Sequence, residues 1–318
     1  MCIQRRVAIS QFSSSDMHEA NVIDEIVKEI STKIMKCTPL NVAKYPVGIE
    51  SCVEDIRKQY LNVGQDNSHM VGIWGIGGIG KSTLAKAIYN SISHKFEHSC
   101  FLSIVKEASF SNGDLVPLQN EFLSKIIERN PPKVSNASEG INVLEQKLRQ
   151  KRVLLVLDNV NHLDQLKALA GECDWFGPSS RIIITTRDKH LLHAHVVNTN
   201  SIYEVKELNH QDASRLFNLN AFKSDICPDG FFELATEVIH YAKGIPLVLE
   251  VLGSDLCSKK DKDVWKAALE YYKSCPNKEI QKTLQRSYDG LHDQIKEIFL
   301  HIACFYKGSQ KSYVIDVL

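Results

Sequence analysis

From Met70 onward, short unbroken apolar runs alternate with stretches whose apolar residues recur every three or four positions. Met70-Val71-Gly72-Ile73-Trp74, Phe101 to Val105, Val153 to Leu157, Arg181 to Thr186 and Ile202 to Val205 read as strands. The intervening stretches Lys81 to His94, Leu118 to Glu128, Ile141 to Gln150 and His162 to Ala170 read as helices. Strands that are apolar on both faces and alternate with helices predict a parallel sheet covered on both sides. The expected fold class is therefore α/β, with this layer spanning residues 45–206.

The pattern differs on either side. Before the sheet, Val22, Ile23, Ile26, Val27, Ile30 and Ile34 predict a helix over Glu19 to Cys37, which Thr38-Pro39 ends. Residues 1–44 are read as a helical linker. After Leu208 no strand pattern remains. Asn209 is placed to cap a helix running to Phe222, with Asp212 at its third position. Helices follow over Phe231–Ala242, Pro246–Cys257, Asp263–Lys273, Ile280–Ser287 and Gln294–Tyr306. Pro246 suits a first helical turn, where its missing N–H costs nothing. Gln310 to Leu318 reads as half an amphipathic helix. All-helical regions are expected over 207–283 and 284–318.

Composition narrows the class. Lys plus Arg and Asp plus Glu both number 38, so the formal net charge is zero and no overall basic field marks a nucleic-acid binder. The longest apolar run is far short of the ~20 residues of a membrane helix. Arg5 and Arg6 are not followed by an apolar segment, so no secretory signal is read. The nine cysteines include no CxxC pair and fit reduced thiols of a cytoplasmic protein. No histidines stand at metal-ligand spacing.

The sharpest chemical signal is Gly75-Ile76-Gly77-Gly78-Ile79-Gly80-Lys81-Ser82-Thr83, which fits GxxxxGK[ST]. Chance yields this pattern in a chain of this length on the order of 1% of the time. Glycines let backbone N–H groups wrap a phosphate, and the helix that follows turns its positive end toward the anion. Lys81 would reach the outer phosphates, and the Ser82 hydroxyl would bind Mg²⁺. The bland alternative is a glycine-rich turn. Asp158, which ends the most apolar strand, stands where such proteins hold Mg²⁺, although aspartate there also reads as a turn former. Arg187 lies just past another strand, on the sheet edge where ligands bind; by spacing alone it also reads as a solvated arginine.

In this company the chain resembles the NB-ARC nucleotide-binding module of plant disease-resistance receptors, within the signal-transduction P-loop NTPases. The resemblance rests on six ordered segments: YPVGIES at Tyr45–Ser51, GIGGIGKST at Gly75–Thr83, LLVLDNV at Leu154–Val160, SSRIIITTRDKHLL at Ser180–Leu192, GIPLVLEVLG at Gly244–Gly253, and LQRSYDGL with IFLHIACFYKG within Leu284–Gly308. Asn161, after that strand, resembles the subclass with an N-terminal Toll/interleukin-receptor domain.

The resemblance implies an ADP/ATP switch with Mg²⁺, cytoplasmic, serving defence signalling alongside other receptor or signalling chains. Gly75, Gly77, Gly78, Gly80, Lys81, Ser82 and Thr83 would bind phosphates, Ser82 and Asp158 the metal. Arg187 would sense the γ-phosphate. Pro246 would pack near the adenine, with Val47 and Gly48 lining its other side. Residues 284–318 would begin a winged-helix-like domain cut short, and the chain would be a fragment lacking the signalling and leucine-rich-repeat domains. The family strand usually ends in two carboxylates, and here the second is Asn159, so Asp158 and Asn159 would support only weak hydrolysis. The competing readings are a turnover AAA-like ATPase and a scaffold that binds no nucleotide.

Overall fold

A computed structural model describes residues 39–61, 67–104, 115–127, 129–195, 199–259, 261–275, 277–291 and 293–317. The helix expected over Glu19–Cys37 lies outside these residues. Leu40–Leu318 form one compact unit.

Five parallel strands build the sheet: β1 (His69–Trp74), β2 (His98–Ser103), β3 (Val153–Val160), β4 (Arg181–Thr186) and β5 (Ile202–Glu204), in the order β2-β3-β4-β1-β5. Side chains alternate across a strand, so β3 divides its apolar residues between two cores. Leu155 and Leu157 join Cys100, Leu102, Ile182 and Ile184 on one face. That face is covered by α3 (Leu115–Ile126), α4 (Ala137–Leu148) and α5 (Leu163–Ala170). Leu154 and Val156 join Val71, Ile73 and Ile183 on the other, beneath α1 (Ile49–Gln59) and α2 (Lys81–Ile92). The expected doubly covered sheet is what forms.

Boundaries moved where pairing overrode pattern. The second strand begins at His98 rather than Phe101, because His98 through Ser103 pair in register with Val153 through Asp158. A short α6 (Lys189–His195) leads from the end of β4. Between Leu157 and Val160 the β3–β4 register slips, and Asn159 there has φ +66°. A bulge of this kind redirects the side chain beside it.

Beyond β5 the described residues are helical: α7 (His210–Ala221), α8 (Phe232–Ala242), α9 (Pro246–Leu256), α10 (Lys262–Ser274), α11 (Lys278–Asp289), α12 (Asp293–Phe305) and α13 (Lys311–Val317). Asn209 caps α7, its side chain accepting from the Asp212 N–H at 2.9 Å. These helices have their own core, around Phe217, Leu249, Leu252 and Trp265. The Phe222 and Trp265 rings stack there, 5.4 Å apart and 8° from parallel. Val47, from the segment before the sheet, is buried in this core as well.

Candidate phosphate-binding site

β1 ends at Trp74 and α2 starts at Lys81, so the six residues between them turn at the C-terminal edge of the sheet. Gly78 and Gly80 take φ +82° and +98°, conformations that side chains with a Cβ resist. Gly80 precedes α2 directly, and the first-turn N–H groups of that helix face the loop.

Lys81 folds its side chain back over this turn. Its ammonium donates to the carbonyls of Gly75 and Ile76, both at 2.8 Å. Burial pushes the Lys81 pKa down to about 8; Arg187 acts in the same direction, and Asp158 opposes it. Arg187 and Asp158 therefore share one electrostatic neighbourhood with the loop lysine.

Asp158 is buried at the end of β3, where two hydroxyls meet its Oδ1. Ser82 Oγ donates at 2.8 Å and Thr185 Oγ1 at 2.6 Å. Thr185 Oγ1 in turn accepts from the Asn159 N–H at 2.8 Å. The Asn159 side-chain amide donates to the Ile104 carbonyl at 3.1 Å. Thus the bulge at Asn159, the β4 hydroxyl and the loop serine orient one carboxylate. Hard oxygen donors, one of them anionic, are what Mg²⁺ prefers. Among the described residues no group of three or more His, Cys, Asp or Glu is placed to hold a metal.

The helical region reaches the same turn. The Leu247 N–H, in the first turn of α9, donates to the Gly78 carbonyl at 3.2 Å. A Cβ on Gly78 would come within 2.8 Å of Leu247 Cβ, and one on Gly80 within 4.0 Å of Pro246 Cγ. Pro246 thus sits against the loop. Arg187 Nη1 donates to the Thr283 carbonyl of α11 at 3.1 Å, which ties the end of β4 to a helix 96 residues later. Val47 and Gly48 take up neighbours in the helical region: a Cβ on Gly48 would meet Leu208 Cδ2 at 2.9 Å and Asp212 Oδ2 at 3.1 Å. Gly77 is buried within the loop, and Thr83 is half-buried one residue beyond Ser82.

Thr185 and Leu247 were missing from the residues that the sequence nominated. Thr185 carries a weak signal, a polar residue at the end of the apolar run of β4. Leu247 carries none, because its contribution is a backbone N–H.

Comparison with known proteins bears on this geometry. The model of the NB-ARC domain matches residues 49–227. Disease resistance protein RPV1 of Vitis rotundifolia is 41% identical over 304 residues, 95% of this chain and 21% of the relative. TMV resistance protein N of Nicotiana glutinosa is 39% identical over 310 residues, 95% of this chain and 26% of the relative. Disease resistance protein RPP5 of Arabidopsis thaliana is 37% identical, covering 99% of this chain and 22% of the relative. The chain thus spans about a fifth to a quarter of the length of these relatives. Among solved structures, a signal-transduction ATPase with numerous domains from Pyrococcus horikoshii is 18% identical, with a TM-score of 0.44 over 86% of this chain and 36% of that one. With more than half of its residues matched by the family model, and nearly all of them aligned with plant disease resistance proteins, the chain belongs to the NB-ARC domain family.

Proposed function

We propose that this chain is an ADP/ATP switch module serving plant defence signalling. The observation that carries the reading is a convergence: one glycine turn is contacted by Lys81 and by the α9 N-terminus, and the helix that follows it opens with Ser82 bonded to Asp158. Gly75, Gly77, Gly78 and Gly80 would present N–H groups to the phosphates. Lys81 would exchange its two loop carbonyls for phosphate oxygens, a change that favours its charged form. Thr83 would add a hydroxyl at the same helix start. Ser82 and Asp158 would hold Mg²⁺, which when bound neutralises phosphate charge.

Arg187 would read the γ-phosphate. Pro246, against Gly80, would contact the adenine and report nucleotide state to the helical region, with Val47 and Gly48 on the far side. In this reading the working parts are a linker over 1–44, a nucleotide-binding domain over 45–206, a helical domain over 207–283 and a winged-helix-like portion over 284–318. Two domains joined through a shared ligand make a bistable element. The module would act in the cytoplasm beside other receptor or signalling chains, with no nucleic acid among its direct ligands. Among the described residues no helix is long and apolar enough to cross a membrane.

Hydrolysis would be slow. Asp158 carries the metal role, and an amide at 159 removes no proton from an attacking water. With its NH₂ directed to Ile104, Asn159 would orient that water through its oxygen. Phosphoryl transfer depends more on positioning and charge neutralisation than on proton removal, so turnover would persist at a low level.

One experiment tests the reading. The purified protein is denatured, and any released nucleotide is identified by chromatography. ADP is the expected product. No released nucleotide, together with a melting temperature unmoved by millimolar Mg-ADP, would favour the scaffold; rapid steady-state ATP turnover would favour the ATPase.

A further inference from the structure

A cavity of about 760 Å³ opens at the opposite end of the strands from the glycine turn. Its lining comes from the start of β2, the segment after α3, and the end of α4. Along β3, the five steps from Val153 to Asp158 span about 17 Å at ~3.3 Å per residue, so this cavity is well separated from the phosphate turn.

Among the described residues its lining combines three cations, Arg129, Lys147 and Lys151, with the apolar side chains of Ile126, Ile127 and Pro132. Lys151 Nζ lies 3.1 Å from Nε2 of the buried His98. Glu97 lies beside this pair, 3.3 Å from His98 Nε2 and 4.0 Å from Lys151 Nζ. Glu97 therefore offsets Lys151. Among the described residues, Arg129 and Lys147 form no ion pair.

The C-terminal end of α4 accounts for Lys147 in part, since a cation there complements the helix dipole. It does not account for Arg129, which belongs to no helix and lines the same cavity. The volume falls within the ~300–1,000 Å³ usual for small-molecule sites and exceeds what an inorganic anion needs. We infer that this cavity binds an organic phosphate, with Arg129, Lys147 and Lys151 around the phosphate and Ile126, Ile127 and Pro132 against its carbon skeleton. The inference is independent of the nucleotide reading.

The test uses inorganic pyrophosphate as the probe, by calorimetry at low ionic strength. The glycine turn is removed from the measurement twice over, by Lys81→Ala and by saturating the parent with Mg-ADP. The expected result is one remaining site in both preparations. Its affinity should fall at least tenfold in Arg129→Gln/Lys147→Gln, whose side chains are exposed, while the unliganded melting temperature stays unchanged. A second arm uses phosphatidylcholine vesicles doped with a phosphoinositide. Sedimentation lost in the same double variant would assign the phosphate to a lipid headgroup; pyrophosphate binding without sedimentation would assign it to a free compound. No residual pyrophosphate site, or one indifferent to the double variant, would overturn the inference whether or not ADP binds at the glycine turn.

Discussion

At the scale of single residues, the site depends on side chains that hold other side chains. Thr185 is the clearest case. It donates to Asp158 and accepts from the Asn159 backbone, so its loss removes both contacts at once. Thr185→Val should cost about 1–3 kcal/mol of stability, because a buried carboxylate and a buried N–H each lose a partner. Mg²⁺-dependent nucleotide affinity should fall with it, and Thr185→Ser should restore both. Calorimetric titration of ADP with and without Mg²⁺ checks this; an unchanged Mg²⁺ dependence in Thr185→Val would confine the threonine to folding.

Lys81 gives a pH signature at the same scale. Its folded pKa, about 8, lies below the ordinary 10.5, so between those values the unfolded chain binds more protons. Stability therefore rises with pH across that window, and the penalty of burying the charge is fully present below it. Bound phosphate should raise the folded pKa and flatten this rise. Denaturant midpoints from pH 7.5 to 10.5, for the parent and Lys81→Met, isolate the lysine. A parent slope no steeper than that of the variant would contradict the prediction.

At the scale of elements, close approach between helices explains what periodicity left out. The helix at Pro246 is legible from its proline and apolar run, yet the depth of its packing is not. Gly253 in α9 lies so near α7 that a Cβ there would stand 2.8 Å from Asn220 Cβ and 3.2 Å from the Phe217 carbonyl. Gly253→Ala should therefore separate the two helices and destabilise by about 1–3 kcal/mol, despite alanine's better helix propensity. Urea unfolding of the variant measures it; a gain in stability would show that α7 gives way freely.

The same scale shows how much could be read from the chain alone. The strands and the glycine turn were legible because apolar runs and a contiguous motif are local. Helix α1 was not, since Gly48 precedes it in a left-handed conformation with no capping side chain, and only Ile56 within it is fully buried. Helix α6 is short and carries three histidines, though Asp188 offers a start signal by accepting from the His190 N–H at 2.8 Å. Within the site, Lys81, Ser82 and Asp158 announced themselves by type and place. Thr185 and the carbonyl of Thr283 matter through partners 27 and 96 residues away, which only the fold brings close.

At the scale of the whole molecule, burial is uneven. The sheet and the α7–α10 helices each enclose a closed core, whereas α12 contains no buried residue and α13 buries only Val314. Ile295, Phe299, Leu300, Phe305, Tyr313 and Ile315 are all exposed, Phe305 by 73% and Ile315 by 64%. Apolar surface of this extent on neighbouring helices favours association through the same hydrophobic term that closes the other cores. The chain on its own should therefore self-associate at tens of micromolar, more strongly on warming from 4 to 25 °C, because that term weakens in the cold. Replacing Phe299 and Phe305 by serine should reduce it without moving the melting transition of the sheet, since neither ring belongs to a closed core. Light scattering across concentration and temperature provides the measurement. A monodisperse monomer throughout would mean that these helices cover their apolar faces against one another in solution.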